Sequence, residues 1–259
     1  MEFPNLTPEQ RKQVLMQWKH QQHQTHTVDI SLSPHGDVLK DFLVYKGVWN
    51  PAITSARYHA SYLFFNNERL FRDKRVLDMG CGTGIMGIVM GLYGADEVIM
   101  TDISEKAVKN SRENVRRFGL EKKAKVLQGD LFQHVKGTFD FIIFNQPFFQ
   151  GYAPPRDTIF ASMLAPPYLI ENFLEAADEF LEGPPFSGGL SNEFANDITA
   201  SRIAMPFYRK AASEGACSND PSVQGTNHRY TVVPVFKTIS KTGLQRGEIS
   251  MYELFNRSH

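Results

Sequence analysis

Nine consecutive residues constrain this chain more than any other stretch: Val76-Leu77-Asp78-Met79-Gly80-Cys81-Gly82-Thr83-Gly84. An apolar strand breaks into a glycine-rich turn, and an apolar helix pattern, Ile85-Met86-Gly87-Ile88-Val89-Met90, starts at once. Strand, tight turn and helix in immediate succession make the first half of a βαβ unit. Glycines permit positive φ and let a ligand approach the backbone closely, as nucleotide-type cofactors require. Asp78 places a carboxylate at the strand's end.

The pattern repeats downstream. Strands are expected at Arg75–Met79, Glu97–Thr101, Lys125–Gln128 and Phe139–Phe144, with helices at Ile85–Tyr93, Glu105–Phe118 and Tyr168–Leu181. Ser104 suits the N-cap of the second helix and Gly119 its end. Strands separated by helices imply an α/β fold with a doubly wound, mostly parallel sheet. Further strands are expected at Ser201–Phe207, Tyr230–Ile239 and Glu248–Phe255, the last two joined by a turn around Gly243 and Gly247. Upstream, Thr7-Pro8-Glu9-Gln10 starts a helix running to about Gln24, because Thr7 can cap it, Pro8 suits its first position and Gln10 completes a capping box. Short strands between Val28 and Trp49 and a helix over Ile53–Leu70 complete an N-terminal extension, residues 1–70, packed on a core domain, residues 71–259.

Composition narrows the class. Twenty-eight basic and 28 acidic residues cancel, which argues against strong non-specific nucleic-acid binding. Two cysteines, Cys81 and Cys217, give no disulfide framework. The residues after Met1 are polar, and no apolar run approaches a membrane span. The expectation is a cytoplasmic protein without a membrane partner; its oligomeric state stays open.

Taken literally, Gly82-Thr83-Gly84-Ile85-Met86-Gly87 matches the dinucleotide fingerprint, which alone is a weak signal. Asp78 points elsewhere. A dinucleotide sets its pyrophosphate at the helix N-terminus, where an acid would repel it, whereas a cofactor with a cationic amino group would want that acid. Asp102 ends the second strand, where a carboxylate can accept from ribose hydroxyls. Asp130, followed by Leu131 and Phe132, closes the third, where an acid can bond an exocyclic amine beside a packed purine.

Together these residues resemble the class I methyltransferases, which use S-adenosyl-L-methionine. The resemblance covers about Val76 to Phe149. It implies a seven-stranded sheet, with Gly80, Cys81, Gly82 and Gly84 under the methionine part of the cofactor and Asp78 facing its amino group. It also implies Asp102 with Ile103 at the ribose, and Asp130 with Leu131 at the adenine. Asn145-Gln146-Pro147-Phe148 after the fourth strand resembles the Asn-Pro-Pro-Tyr/Phe motif of enzymes that methylate planar nitrogen. Among them are the release-factor glutamine methyltransferases and the adenine-N6 and guanine-N2 enzymes. A conjugated nitrogen is a poor nucleophile. Acceptors on its N–H groups hold it and aim its lone pair, so Asn145 would offer its side-chain carbonyl and Gln146 its backbone carbonyl. Pro147 would shape the turn and Phe148 would stack on the flat acceptor. Gln146 departs from the usual Pro, which leaves the target less defined than the reaction. Asn145 and Thr54, the latter within Asn50-Pro51-Ala52-Ile53-Thr54, would also border the cofactor.

The leading acceptor is therefore a protein side-chain amide, and the runner-up an exocyclic amine in RNA or DNA. An NAD-dependent oxidoreductase and a non-catalytic scaffold are the remaining alternatives. His20, His23 and His26 are spaced like metal ligands but lack an acidic or Cys partner, so no metal is expected. Lys106, Lys109, Arg112, Arg116, Arg117, Lys122, Lys123 and Lys125 read as a solvated face rather than a phosphate track. Finally, Pro234 cannot donate to a ladder, so Tyr230–Ile239 belongs at the sheet's edge and Glu248–Phe255 inside it.

Overall fold

The computed structural model describes residues 6–147, 149–150, 152–182, 201–210, 230–242 and 245–256. Phe148, Cys217 and Gly243, named above, lie outside the described residues.

The parallel half of the sheet forms where short apolar runs meet helix caps. Strands β3 (Arg75–Met79), β4 (Glu97–Asp102), β5 (Ala124–Gln128) and β6 (Phe141–Phe144) alternate with helices α4 (Ile85–Leu92), between β3 and β4, and α5 (Glu105–Arg117), between β4 and β5. Phe141 to Phe144 are all buried, as a strand covered on both faces must be. Ser104 caps α5, its hydroxyl accepting from the Ala107 N–H. Helix α6 (Leu169–Ala177) then leads to β9 (Arg202–Lys210), and β10 (Tyr230–Thr242) and β11 (Gln245–Asn256) finish the sheet. The order is β10-β11-β9-β6-β3-β4-β5. β11 runs antiparallel to both β9 and β10, and β6 runs parallel to β9. The proline-bearing strand is thus the edge, as expected, and the ladder shifts register between Pro234 and Phe236.

The N-terminal part contributes α1 (Pro8–His20), the antiparallel pair β1 (His26–Ser31) and β2 (Val38–Val44), α2 (Ala56–Phe65) and the single turn α3 (Asn67–Leu70). The capping box at Thr7 and Gln10 is present, but α1 stops four residues short of Gln24. Gln21 is buried there and accepts from the Asn50 N–H, which turns the chain away. The single helix expected over Ile53–Leu70 breaks at Asn66, and α6 begins after Tyr168, whose left-handed φ of 63° cannot continue a helix. One continuous apolar cluster joins Ile30, Phe42 and Leu63 of this part to Val76, Ile88 and Met100 of the sheet layer. Asn110 and Asn114 of α5 extend the seam: their side-chain oxygens accept from the Tyr45 and Leu43 N–H groups.

A charged group crosses the same seam. Glu253 of β11 and Arg202 of β9 are both fully buried. Glu253 accepts from Arg202 at 2.9 Å, from both Arg69 terminal nitrogens at 2.8 and 2.6 Å, and from the Tyr62 hydroxyl. Burying charge is tolerable only with such full pairing. Arg202 also lies 5.0 Å over the Phe255 ring. Burial and the nearby Glu253 carboxylate push the Tyr62 phenol up, so it stays a donor.

Candidate functional site

The ends of β3, β4, β5 and β6 share one sheet edge, where ligands bind in open α/β folds. The glycine turn follows β3. Gly80, Gly82 and Gly84 all have positive φ, of 64°, 56° and 87°. Their other constraints differ. A Cβ on Gly84 would lie 2.7 Å from Met100 Cε, and one on Gly87 would strike the same side chain, so both glycines serve helix-to-strand packing. This packing explains the literal dinucleotide pattern without a dinucleotide. A Cβ on Gly82 would meet nothing within 4 Å. That open approach to backbone is the cradle a bound cofactor needs.

The acids are set by backbone hydrogen bonds. Asp78 is 2% exposed, and its Oδ2 accepts from the Gly87 N–H at 2.9 Å, bracing the first turn of α4 from below. Burial raises its pKa to about 7, against that hydrogen bond and with a contribution from Asp102. Asp102 accepts from the Gly82 N–H at 2.8 Å and the Ser104 N–H at 2.9 Å, one on each oxygen. It couples the glycine turn to the α5 N-terminus and keeps a lone pair on each oxygen for a diol. Its pKa is raised, burial outweighing those hydrogen bonds. Ile103 beside it is half-buried. Asp130 is half exposed at the end of β5, facing Arg156 at 3.7 Å, and Leu131 takes a positive φ of 46° to turn the chain there. Cys81 is buried against Ser111, and burial holds its thiol well above the usual range, so it is inert packing.

Asn145 follows β6 directly and is half-buried; among the described residues nothing hydrogen-bonds its carboxamide. Gln146 is 6% exposed, and Pro147 is half-buried. Thr54 is buried, its hydroxyl accepting from Trp49 Nε1 at 3.1 Å and donating toward the Asn50 carbonyl at 3.2 Å. It braces its own turn. The structure thus gathers Gly80 to Gly84, Asp102, Asp130 and Asn145 along one edge, seats Asp78 beneath the start of α4, and bonds Thr54 within its own turn.

With this geometry in hand, the comparisons with known proteins are specific. The methyltransferase small domain family matches residues 59–182. That stretch, a little under half of the chain, is thus similar to a methyltransferase domain. Over 83 residues it is 40% identical to the ribosomal protein L11 methyltransferase of Thermotoga petrophila, which covers 32% of this chain and 31% of that protein. Over 75 residues it is 36% identical to the release factor glutamine methyltransferase of Borreliella burgdorferi, covering 29% and 26%. The matches therefore span about a third or less of these relatives. Among solved structures, the ribosomal protein L11 methylase of Lactobacillus delbrueckii shares this fold, with a TM-score of 0.53 at 17% identity over 89% of this chain and 99% of that one. The antiparallel β11 inside the sheet also separates this domain from the six-stranded dinucleotide order.

Two surface features resolve into local structure. Lys109, Arg116 and Lys125 pair with Glu105, Glu113 and Glu97 at 2.6, 2.6 and 3.4 Å. Arg112, Arg117 and Lys123 donate to the carbonyls of Val126, Asp41 and Ala95. Three of the eight basic side chains of the stripe are thus ion-paired and three more are tied to backbone carbonyls. His23 and His26 stack edge to face and bond the carbonyls of Gln24 and Val48. Among the described residues, no group of His, Cys, Asp and Glu is placed to hold a metal, and no helix is long and apolar enough to cross a membrane.

Proposed function

We propose that this protein transfers a methyl group from S-adenosyl-L-methionine to a planar nitrogen, and that its acceptor is a protein side-chain amide. The observation that carries the reading is the Asn145 carboxamide at the end of β6, without a hydrogen-bond partner among the described residues, on the same edge as the open backbone of Gly82. The names of the two relatives above, a ribosomal-protein and a release-factor methyltransferase, support a protein acceptor.

The residues present fit the cofactor. Gly82 leaves room at the backbone, Asp102 offers two oxygens to a ribose diol, and Asp130 offers a half-exposed carboxylate to an exocyclic amine. Asp78 supplies negative potential under the turn, toward a cationic amino group. When bound, the cofactor supplies an electrophilic methyl on a sulfonium. Asn145 Oδ1 and the Gln146 carbonyl accept from the two N–H groups of the acceptor, which orients it and favours pyramidal nitrogen. Their dipoles are already in place, so little reorganisation is needed as positive charge develops on nitrogen. Pro147 restricts the turn that presents both oxygens. Phe148 as a stacking face remains part of the proposal. So does the division into an extension, 1–70, and a catalytic domain, 71–259.

Calorimetry tests the cofactor half. S-adenosylhomocysteine should bind and NAD should not. Asp102→Ala should weaken binding by about 1–3 kcal/mol, the loss of charge-assisted hydrogen bonds. No binding of S-adenosylhomocysteine to the wild type at millimolar concentration would end the methyltransferase reading.

A further inference from the structure

The chain beyond Pro147 does not return directly to α6. β7 (Phe149–Gln150) pairs with β8 (Leu164–Ala165), and the Tyr152 N–H donates to the Ala165 carbonyl at 3.0 Å. These bonds close the neck of a compact loop. Its buried residues Ile159, Phe160, Met163 and Leu164 join neither apolar cluster flanking the sheet. They form a third cluster with Leu6 and with Val14 of α1. The Trp18 and Phe160 rings stack there, 6.4 Å apart and 10° from parallel.

The polar tip of the loop reaches the other way. Asp157 accepts from the Ser104 hydroxyl at 2.8 Å and faces the Lys106 N–H at 3.4 Å. Arg156 faces Asp130. Asn145 ends β6, Ser104 follows β4 and Asp130 follows β5, while the strand order is β6-β3-β4-β5. At about 4.8 Å per strand, the segment from Asn145 to its tip crosses about 10–14 Å of sheet edge. It therefore passes over the ends of β3 and β4, where the glycine turn and Asp102 lie.

We propose that residues 152–165, packed on α1, form a hinged roof over the cofactor cleft, latched shut by Asp157 on Ser104 and Lys106 and by Arg156 on Asp130. The roof has its own apolar cluster, so it can lift as a unit without opening the cores beside the sheet. Among the described residues, the contacts at its rim are polar and near the surface. One contact sits on Asp130, the acid assigned to the adenine side, and the other on Ser104, whose N–H is held by the ribose acid Asp102, so opening the latch and admitting the cofactor are one event. Arg156 faces the half-exposed Asp130 until an adenine amine takes its place. This inference rests on the cofactor reading above.

A reversible bridge tests the roof. In a Ser104→Cys, Asp157→Cys protein, oxidation should tie the rim down, with the bridge verified by peptide mapping. Uptake of S-adenosylhomocysteine by the empty bridged protein, and its release from protein bridged after loading, should slow at least tenfold and recover on reduction. Separately, Asp157→Ala should speed entry and release together, several-fold each, with little change in affinity. If the wild type binds the ligand but the bridged protein exchanges it at the reduced rate, the roof is refuted and the cofactor reading stands. If Asp157→Ala changes affinity through release alone, Asp157 touches the ligand and is no latch. If the wild type itself does not bind, the cofactor reading fails first.

Discussion

Asn145→Ala should lower methyl transfer by about two to three orders of magnitude while changing S-adenosylhomocysteine affinity far less, because the lost oxygen acts on the acceptor nitrogen. The assay is tritiated methyl transfer into cell extract, with protease and nuclease treatment of the product separating protein from nucleic acid. Gln146→Pro should keep activity, since the oxygen assigned to that position belongs to the backbone. Full turnover in Asn145→Ala would sink the planar-nitrogen mechanism. A label released by nuclease would move the acceptor from protein to nucleic acid without touching that mechanism.

Much of this frame was legible in the sequence where local chemistry and fold agree. β3 keeps its expected bounds, and β4, β5 and α5 shift by one residue, because apolar runs meet Ser104 at one helix start and glycine turns elsewhere. Pro234 ordered the two late strands correctly because a missing N–H is a backbone fact, independent of what packs nearby. What could not be read are the consequences of long-range contact. Asp78 is a strand-end acid in sequence, yet only the approach of Gly87 turns its carboxylate inward. Arg202 and Glu253 stand out as charges in apolar strands, but their partners Arg69 and Tyr62 come from the opposite end of the chain. The loop after Pro147 is another case. Its apolar residues have no local period and find their partners far away in sequence, at Leu6, Val14, Trp18 and Trp49.

Two buried groups should oppose each other in the pH dependence of stability. Asp78, raised from 3.8 to about 7 by burial, favours the protonated form in the fold. Its contribution is full below its unfolded pKa and is lost as pH rises toward 7. His59 of α2 is 2% exposed, and among the described residues neither ring nitrogen has a hydrogen-bond partner. Burial depresses its pKa from 6.5 to about 3, so its contribution is full above 6.5 and is lost as pH falls. Each shift is worth on the order of 4 kcal/mol, with opposite signs in the shared window. The wild type should therefore vary little between pH 4 and 6.5. Asp78→Asn, whose oxygen can still accept from Gly87, should unmask the His59 slope and raise stability by a few kcal/mol at pH 8. His59→Leu should unmask the Asp78 slope, with stability falling steadily from pH 4 to 7. Denaturant unfolding of the three proteins across this range measures it, and parallel profiles would refute it. The functional counterpart follows from the same charge. On the cofactor reading proposed above, the ligand's cationic amino group would relieve an Asp78 ionised against its burial, so S-adenosylhomocysteine affinity should strengthen as pH rises through 7. Asp78→Asn should lose that gain while becoming the more stable protein. A carboxylate that destabilises the empty fold and is offset by its ligand is the pattern of a functional residue, because structure alone would have favoured the amide.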